Sequence, residues 1–418
     1  MKYQIHYEGK EDERSVLENS PRAILDETER VGEQEPGWLN RLVLGDCLPV
    51  LKSLYLDPEV RGNVRLVYID PPYSTKQTFE TKKLWYRPDA ASNGKQYAYS
   101  DELGGAAYIE FLRKRLIFLR EVLSDDGSIY VHLDDNMAFA VKIIMDEIFG
   151  AKNFRNWITR RKCSTKNYTR YTYGNISDYI LFYTKSDRYV WHRPYEKWDE
   201  DRIRKEYNRV ERETGRRYKL VPIHAQETRR GATGGPWRGM LPPPGKHWQY
   251  TPEKLDEFDR RGQIVWSPTG NPRKKVYFDP SSKGVPLQDT WSGFRDAINQ
   301  NMALTGYPTE KNLDLLKLIV ATSSDEDDLV LDAFVGSGTT CEAAAELGRR
   351  WIGIDNSEAA IDTAKRRLAS LLSDEEQMQG RLELGDEYGG GRHRHFSFSV
   401  LQAMEPVAVR RERRTASL

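Results

Sequence analysis

Residues 330–340 read VLDAFVGSGTT, and this stretch decides the fold. An apolar run ends at Asp332, a turn containing Gly336 and Gly338 follows, and alanine-rich sequence begins after Thr340. A strand, a glycine turn and a helix in this order let the backbone approach a ligand closely at the amino end of the helix. A single G-x-G is weak evidence, because such a turn also permits tight packing of a helix on a strand.

The segments on either side repeat the alternation of strand and helix. Downstream, the apolar run 351–354 ends in Asp355, and an acidic residue about 20 positions after the glycine turn suits the hydroxyls of a ribose. Upstream, apolar runs lie at 41–44, 64–69 and 128–133, with helical periodicity at 108–123 between the last two. The pattern predicts an α/β fold with a doubly wound, mostly parallel, Rossmann-like sheet.

The middle of the chain is basic and rich in aromatic residues. The 418 residues carry a formal net charge of +1, but Lys and Arg outnumber Asp and Glu by 29 to 16 between residues 155 and 290. Seven of the ten tryptophans lie between residues 157 and 291. A basic, aromatic region between acidic flanks is typical of a nucleic-acid surface, although a solvated helical face such as 201–217 also carries many charges.

The composition argues against several other classes. No run of about 18 apolar residues predicts a membrane span, and the first ten residues lack the apolar segment of a signal peptide. Cys47, Cys163 and Cys341 have no paired spacing, which argues against a disulfide framework or a zinc site. We therefore expect a cytoplasmic, nucleoid-associated protein without a bound metal.

A second motif, Asp70-Pro71-Pro72-Tyr73, follows the apolar run 64–69. Prolines cannot donate to a ladder, so the strand ends there, at the edge where doubly wound sheets bind ligands. A carboxylate and a carbonyl in fixed geometry can accept both hydrogens of an exocyclic amino group and stabilise the charge that develops on its nitrogen. Tyr73 offers a face on which an extruded base can stack. A proline-terminated strand with a capping Asp is the alternative interpretation.

Together the two motifs resemble those of the β class of amino-DNA methyltransferases. That class carries D/S-P-P-Y upstream and F-x-G-x-G downstream, as residues 70–73 and 334–338 do here. Further segments that resemble the class lie at 125–131, 146–150, 307–311 and 348–353. The chain departs from the class at Ala333 and Asn312, where proline is common, and at Asp355, where glutamate is more usual.

The resemblance implies a circularly permuted core and a site-specific DNA adenine-N6 methyltransferase that uses S-adenosylmethionine and flips its target base out of the duplex. Asp70 and the Pro71 carbonyl would bind the amino group, Pro72 would restrict the turn, and Tyr73 would stack on the base. The cofactor-binding residues that it implies are Asp46, Thr309, Lys311, Asp332, Phe334, Gly336, Gly338 and Asp355. Asp46 would lie near the cofactor's adenine and Asp355 at its ribose.

Five regions follow from these assignments. They are an N-terminal arm (1–35), a catalytic half of the core (36–155), the end of the core sheet with a target-recognition insertion (156–294), a cofactor-binding half (295–373) and a disordered tail (374–418). Candidate DNA contacts in the insertion are Arg229, Arg230, Arg238, Arg273, Lys274 and Lys275. Packing or a surface ion pair is the alternative role for any single one of them.

Three alternatives to adenine methylation of DNA stay open. Cytosine-N4 methylation uses a similar constellation, but cytosine enzymes of this class more often carry serine at the position of Asp70. An RNA adenine methyltransferase shares a related motif, and a DNA-binding regulator would carry a degenerate cofactor site. The expected partners are double-stranded DNA and a second copy of the chain, because the class often forms dimers. The chain shows no nuclease motif, so it is either the modification component that accompanies a separate restriction endonuclease or a solitary methyltransferase.

Overall fold

A computed structural model describes residues 4–32, 37–72, 105–165, 171–296, 310–373 and 396–405. The chain divides into two compact units. The core unit comprises Met1–Arg193 and Gln288–Leu418, and the inserted unit comprises Pro194–Leu287.

The secondary-structure elements in the described residues are numbered in chain order. The strands are β1 (Ile24–Val31), β2 (Asn40–Leu44), β3 (Val64–Ile69), β4 (Leu123–Leu133), β5 (Phe154–Arg161), β6 (Ser177–Thr184), β7 (Tyr195–Glu196), β8 (Arg209–Val210), β9 (Arg217–Pro222), β10 (His224–Gln226), β11 (Lys246–Trp248), β12 (Ile264–Trp266), β13 (Pro272–Tyr277), β14 (Val285–Pro286), β15 (Thr290–Trp291), β16 (Leu329–Asp332), β17 (Arg350–Asp355) and β18 (Phe398–Met404). The α-helices are α1 (Glu13–Asn19), α2 (Cys47–Leu56), α3 (Ala106–Val122), α4 (Ala138–Met145), α5 (Glu200–Glu206), α6 (Pro252–Arg260), α7 (Leu313–Ser323), α8 (Thr339–Glu346) and α9 (Glu358–Ser373). A π-helical turn, Asp146–Gly150, and a 3-10 turn, Ala151–Asn153, follow α4.

The core unit is built on one mixed sheet, as the sequence predicts. Its strand order within the described residues is β1-β18-β2-β17-β16-β3-β4-β6-β5-β15. The strands from β18 to β4 in that order are mutually parallel, whereas β6 is antiparallel to β4 and to β5. The connection through α8 leads from β16 to β17 on one side, and the connection through α3 leads from β3 to β4 on the other. The sheet therefore has its topological switch point between β16 and β3, which is where open α/β sheets bind ligands.

Burial on both faces explains why the parallel strands are uniformly apolar. All four residues of β16 are buried, as expected for a parallel strand covered by helices on either side. One face packs on α2, α3 and α4 through side chains such as Leu51, Leu116 and Val141. The other face carries Tyr68 and Tyr130, and the Tyr130 hydroxyl lies 2.8 Å from Ser323 Oγ of α7.

The amino-terminal region, expected to be an arm over residues 1–35, contains helix α1 and strand β1. Asp12 caps α1 by accepting from Ser15 N at 3.0 Å, and Val16 on that helix is fully buried. Strand β1 then pairs with β18 in antiparallel orientation. The expectation failed because the buried side of this region is narrow and its charged residues obscure the helical period.

The expectation of a disordered tail over 374–418 is also wrong for part of that range. Strand β18 lies between β1 and β2 in the core sheet. Phe398 is fully buried, and its ring centroid lies 5.4 Å from that of Trp351. The alternation of Phe396, Phe398 and Val400 with serines is a strand pattern, but it is short and stands between a glycine run and a basic run.

The inserted unit has its own small core and its own charge. An antiparallel sheet of order β12-β13-β9-β8 and helix α6 surround buried side chains that include Trp237, Trp248 and Leu255. Lys and Arg outnumber Asp and Glu by 20 to 13 over residues 194–287. The region 156–294 was expected to hold the end of the core sheet and the target-recognition insertion, and its residues 156–193, which include β6 and most of β5, belong to the core unit. Nowhere in the described ranges does a helix combine the length and apolar character that crossing a membrane requires.

Truncation tests the place of β18 in the sheet. A chain that ends at residue 395 loses Phe398, Val400 and Leu401 from the core, so we expect its free energy of unfolding to fall by at least about 4 kcal/mol. A control chain that ends at Glu405 keeps every contact of β18 and should unfold at the same urea concentration as the full chain. Equal midpoints for the full chain and the 395 truncation, measured by circular dichroism, would contradict the assignment.

Candidate active site

In the described part of the chain, an aspartate stands at the carboxyl end of each of four neighbouring parallel strands, β2, β17, β16 and β3. Asp46 follows β2, Asp355 ends β17, Asp332 ends β16 and Asp70 follows β3. Carboxyl ends of parallel strands meet at one edge, so the sheet brings together residues that the sequence separates by up to 309 positions. No group of three or more His, Cys, Asp or Glu side chains in the described part of the chain is arranged to hold a metal ion.

Asp332 braces the glycine turn from within the protein. Its Oδ1 accepts from Phe334 N at 3.0 Å, and its Oδ2 accepts from Thr340 Oγ1 at 2.5 Å. The carboxyl is 3% exposed, and burial raises its pKa to about 7, with the charges of Asp70 and Asp355 acting in the same direction. The side chain therefore ties the start of the turn to the first turn of α8.

The glycine turn has a backbone conformation that other residues rarely adopt. Gly336 and Gly338 have φ angles of 51° and 85°. Gly336 N donates to Asp355 Oδ2 at 2.9 Å, and Ser357 N donates to Asp355 Oδ1 at 3.0 Å. A Cβ on Gly338 would lie 2.9 Å from Ala364 Cβ and 3.0 Å from its Cα. The turn is thus packed on α9 behind it and joined to the end of β17.

Asp46 is held by an arginine that the sequence did not single out. It caps α2 through Leu48 N, while its side chain is 57% exposed and its Oδ1 lies 2.6 Å from Arg115 Nη2. Arg115 is buried on α3, where its guanidinium stacks 3.5 Å from the centre of the Phe111 ring. Phe111 lies next to Phe334, with ring centroids 6.3 Å apart. Helix α3 therefore supplies one wall beside the glycine turn.

Arg367 on α9 is a second cation that the sequence analysis missed. Its Nη1 donates to Thr339 Oγ1 at 2.6 Å and to Ser337 Oγ at 3.3 Å, both in or next to the glycine turn. Its Nε lies 3.2 Å from Glu342 Oε2, and its Nη2 pairs with Glu310. One side chain thus connects the turn, α8 and the segment that precedes α7. A basic residue inside a helical pattern gives no sequence signal for such a role.

Asp70 lies at the switch point and is paired with Lys311. The distance from Lys311 Nζ to Asp70 Oδ2 is 2.8 Å, and both side chains are largely buried. Pro71 is buried and Pro72 is half-buried. Lys311 was expected in the cofactor pocket, and this structure places its ammonium on the carboxylate of the D-P-P-Y motif. Tyr73 and Thr309, which complete the two expected sets, lie outside the described residues.

Asn312 replaces the proline that is common in the β class, and it supports the start of α7. Its Oδ1 accepts from Leu315 N at 3.1 Å, which caps the helix, and its Nδ2 donates to Arg295 O at 2.9 Å. An asparagine cap stabilises a helix start by about 1 kcal/mol. The departure from the class pattern therefore leaves the position of Lys311 supported.

Two expected DNA contacts in the inserted unit are ion pairs within that unit. Arg238 lies 3.0 Å from Asp256 Oδ1 and 2.5 Å from Asp259 Oδ2. Lys275 lies 2.8 Å from Glu211 Oε1, and both of these side chains are largely buried. These acidic partners balance the charges of both cations, and DNA contact by Arg238 and Lys275 stays a prediction.

The remaining candidates in the inserted unit divide by exposure. Arg229, Arg230 and Arg273 are exposed. Lys274 is half-buried, donates to Tyr250 Oη at 3.2 Å and lies 3.9 Å from the centre of the Phe258 ring. The aromatic contacts favour a packing role for Lys274, whereas the three arginines stay available to a ligand.

A family model, N6_N4_Mtase, described as DNA methylase, matches residues 64–366. This chain belongs to that family. The type II methyltransferase M.EcaI of Enterobacter cloacae is 46% identical over 387 residues, which cover 91% of this chain and 79% of that protein. The protein is therefore an S-adenosylmethionine-dependent DNA methyltransferase, as the order of its motifs predicts.

Two further matches are more distant. The StyLTI Mod subunit of Salmonella typhimurium, from a type III restriction-modification enzyme, is 28% identical over 375 residues, covering 82% of this chain. The chain spans 56% of the length of that subunit. The solved structure of TTHA0409, described as a putative DNA modification methylase from Thermus thermophilus in complex with S-adenosyl-L-methionine, is 17% identical. Its TM-score is 0.42, and the match covers 88% of this chain and 100% of that one.

Alanine at Gly338 tests the packing of the glycine turn. The left-handed backbone costs about 1–2 kcal/mol and the clash with Ala364 about 1–3 kcal/mol more, so we expect a clear loss of stability to urea. Gly348→Ala is the matched control, because Gly348 has a similar φ of 73° but its Cβ would meet only Glu326 Cγ at 3.9 Å. Equal losses for the two variants would mean that the turn is not tightly packed on α9.

Proposed function

We propose that the methylase transfers a methyl group from S-adenosylmethionine to N6 of an adenine that is flipped out of double-stranded DNA. The observation that carries the proposal is the adjacency of β3 and β16 at the switch point. This adjacency puts Asp70, a carboxylate suited to an amino group, beside the glycine turn that begins at Asp332. A base must leave the duplex to reach such an edge, so the target is extruded.

The edge of the sheet fits the proposed cofactor in two respects. The glycine turn leads into the start of α8 without side chains at positions 336 and 338, which lets a ligand approach the backbone closely, and Phe334 lies beside it. Asp355 stands 19 residues after Gly336, at the end of the neighbouring strand, where a carboxylate can accept from ribose hydroxyls. When bound, S-adenosylmethionine supplies a methyl group that its sulfonium already activates.

We assign the cofactor-binding residues by their place along this edge. Gly336, Gly338 and Phe334 would contact the methionine portion, with Asp332 holding the turn beneath it. Asp355 would contact the ribose, and the half-exposed Asp46 would lie near the adenine. Lys311 and Thr309 would close the pocket on the side of the target base.

Asp70 and the Pro71 carbonyl accept the two hydrogens of the amino group in this proposal, and Tyr73 stacks on the ring. The amino lone pair is conjugated into the ring, so two fixed acceptors favour the tetrahedral nitrogen that attacks. Lys311 holds one oxygen of Asp70 at 2.8 Å and orients the carboxylate before the base arrives. The nitrogen would attack the methyl carbon of S-adenosylmethionine in line as the bond from that carbon to sulfur breaks, without a covalent enzyme intermediate. Positioning would therefore supply most of the rate gain.

A methyl-transfer assay with nucleoside mass spectrometry tests the reaction and the base. We expect N6-methyldeoxyadenosine from wild type and at least about a 100-fold lower rate for Asp70→Ala, because an electrostatic contact to the developing charge is lost. Asp328→Ala is the matched control, since it breaks the ion pair with Arg65 at the opposite edge of the sheet. The control should keep most of the activity.

Other products would change the proposal in defined ways. N4-methyldeoxycytidine would replace adenine by cytosine as the target, and methylation of RNA alone would overturn the substrate. Binding of DNA by wild type with no methyl transfer to DNA or RNA would favour a regulator. Equal losses for Asp70→Ala and Asp328→Ala would remove Asp70 from the catalytic set.

We also propose that the inserted unit recognises the DNA. Its excess of Lys and Arg over Asp and Glu, 20 to 13, and the exposed Arg229, Arg230 and Arg273 support this assignment. Arginine can reach phosphates or the O6 and N7 edge of guanine. The proposal extends to a role as the modification component of a restriction-modification system, with cleavage by a separate endonuclease.

The expected homodimer is tested by sedimentation analysis of the pure chain.

The salt dependence of DNA binding separates exposed cations from paired ones. Arg229→Ala/Arg230→Ala should weaken DNA binding and lower the slope of log K against log salt by about 2, as two phosphate contacts are lost. Arg238→Ala should change the slope by less than about 0.5, because Asp256 and Asp259 already neutralise Arg238. A larger slope change for Arg238→Ala than for the double variant would reverse the assignment.

A further inference from the structure

A chain of buried polar side chains crosses four neighbouring strands beside Asp70. Tyr68 Oη lies 2.7 Å from His132 Nδ1, and His132 Nε2 lies 2.9 Å from Asp178 Oδ2. Arg160 Nη1 lies 3.4 Å from the same oxygen. All four side chains are at most 3% exposed. Burying so many polar and charged groups is costly unless they are paired, and these distances bring opposite charges of the cluster together.

The first member of the chain lies two residues before Asp70. Tyr68 is the last residue but one of β3, and Asp70 follows that strand directly. The negative charge of Asp70, after burial, contributes to a pKa of Tyr68 that is well above its ordinary value. Tyr68 therefore stays a neutral phenol whose position is fixed by His132.

The last member reaches the segment that carries Lys311. Arg160 Nε donates to Phe294 O at 2.9 Å, and its Nη2 pairs with Asp296. Arg295, between these two residues, accepts through its carbonyl from Asn312 Nδ2 at 2.9 Å. Asn312 follows Lys311 directly, and Lys311 binds Asp70. The contacts thus form a closed ring that leaves Asp70 along β3 and returns to it through Lys311.

The protonation states indicate which nitrogen of His132 donates and which accepts in the ring. Burial lowers the pKa of His132, with Asp178 and Asp70 opposing the shift and Lys311 adding to it, so the imidazole is neutral near pH 7. Although burial alone would raise it, the contact with His132 and the charges of Arg160 and Lys311 hold the pKa of Asp178 well below its usual range. The Asp178 carboxylate lies 2.9 Å from Nε2, which favours the tautomer with its proton on Nε2 and leaves Nδ1 to accept from the Tyr68 hydroxyl.

We propose that Tyr68, His132, Asp178 and Arg160 are positioning residues for Asp70 in methyl transfer. They hold the end of β3 and the Lys311 ammonium in the geometry that the target amino group requires. None of them touches the reacting atoms. The inference rests on the proposed function, because it assigns Asp70 to the amino group.

Two buried tyrosines provide a matched test. Tyr130 pairs with Tyr68 across β3 and β4, is equally buried, and directs its hydroxyl to Ser323 Oγ on α7 instead of to the ring. Tyr68→Phe and Tyr130→Phe each remove one buried hydroxyl, so both should lower the urea midpoint to a similar extent. Only Tyr68→Phe should lower the single-turnover rate, by about tenfold, with the Kd of S-adenosylmethionine changed less than about twofold. Equal rate losses, or no loss for Tyr68→Phe, would overturn the proposal.

A double variant tests whether the ring acts as one unit. Asp178→Asn should also lower the single-turnover rate. The double variant Tyr68→Phe/Asp178→Asn should be no slower than the slower single variant, because the rate losses caused by mutating residues of one network do not add. Multiplicative losses would show that the two side chains act independently, against the proposal.

Nitrogen-15 NMR of the histidines reports on the ring without any assay of activity. We expect His132, assigned with a His132→Gln variant, to be neutral with its proton on Nε2 at neutral pH, and its Nδ1 resonance to move in Tyr68→Phe. A charged His132, or an Nδ1 resonance that ignores Tyr68→Phe, would overturn the ring. A wild-type protein that shows the expected resonances but transfers no methyl group would instead overturn the proposed function.

Discussion

The parallel register of β2, β17, β16 and β3 is the constraint on which the rest of this protein depends. It places Asp46, Asp355, Asp332 and Asp70, all within the described residues, at one edge of one sheet. Carboxylates gathered at a partly buried edge repel one another unless their charges are compensated. Asp46 and Asp70 are paired with Arg115 and Lys311. Asp355 accepts from two backbone N–H groups, and Asp332 accepts from a hydroxyl and a backbone N–H.

The compensating groups explain how two halves of a permuted core act as one site. Arg115 lies on α3 in the first half, and it holds Asp46 beside a turn that belongs to the second half. Lys311 precedes α7 in the second half, and it binds Asp70 in the first. Neither contact depends on which half comes first along the chain. The adjacency of β3 and β16 therefore brings Asp70 beside the glycine turn whichever half of the core comes first along the chain.

Sequence periodicity located the core elements because burial on both faces leaves little choice of residue. The run 64–69 coincides with β3, 41–44 is one residue shorter than β2 at its start, and 351–354 is one residue shorter than β17 at each end. The sequence analysis missed strand β18 because its alternation spans only a few residues and its neighbours in the sheet are far away in sequence. It missed two site arginines for a related reason. Arg115 and Arg367 sit in ordinary amphipathic helices, and only the fold shows which carboxylates they meet.

Charge counting located the basic region but overestimated the cations available to DNA. The excess of 29 over 16 across residues 155–290 includes Arg160, which is buried in the core unit, and Arg238 and Lys275, which are paired inside the inserted unit. A net count treats these side chains as equal to the exposed Arg229 and Arg230. Because the inserted unit packs around its own tryptophans, its exposed residues can change without disturbing the sheet that holds Asp70. Under the proposed assignment of DNA recognition to the inserted unit, recognition and catalysis would draw on different cores and could change separately.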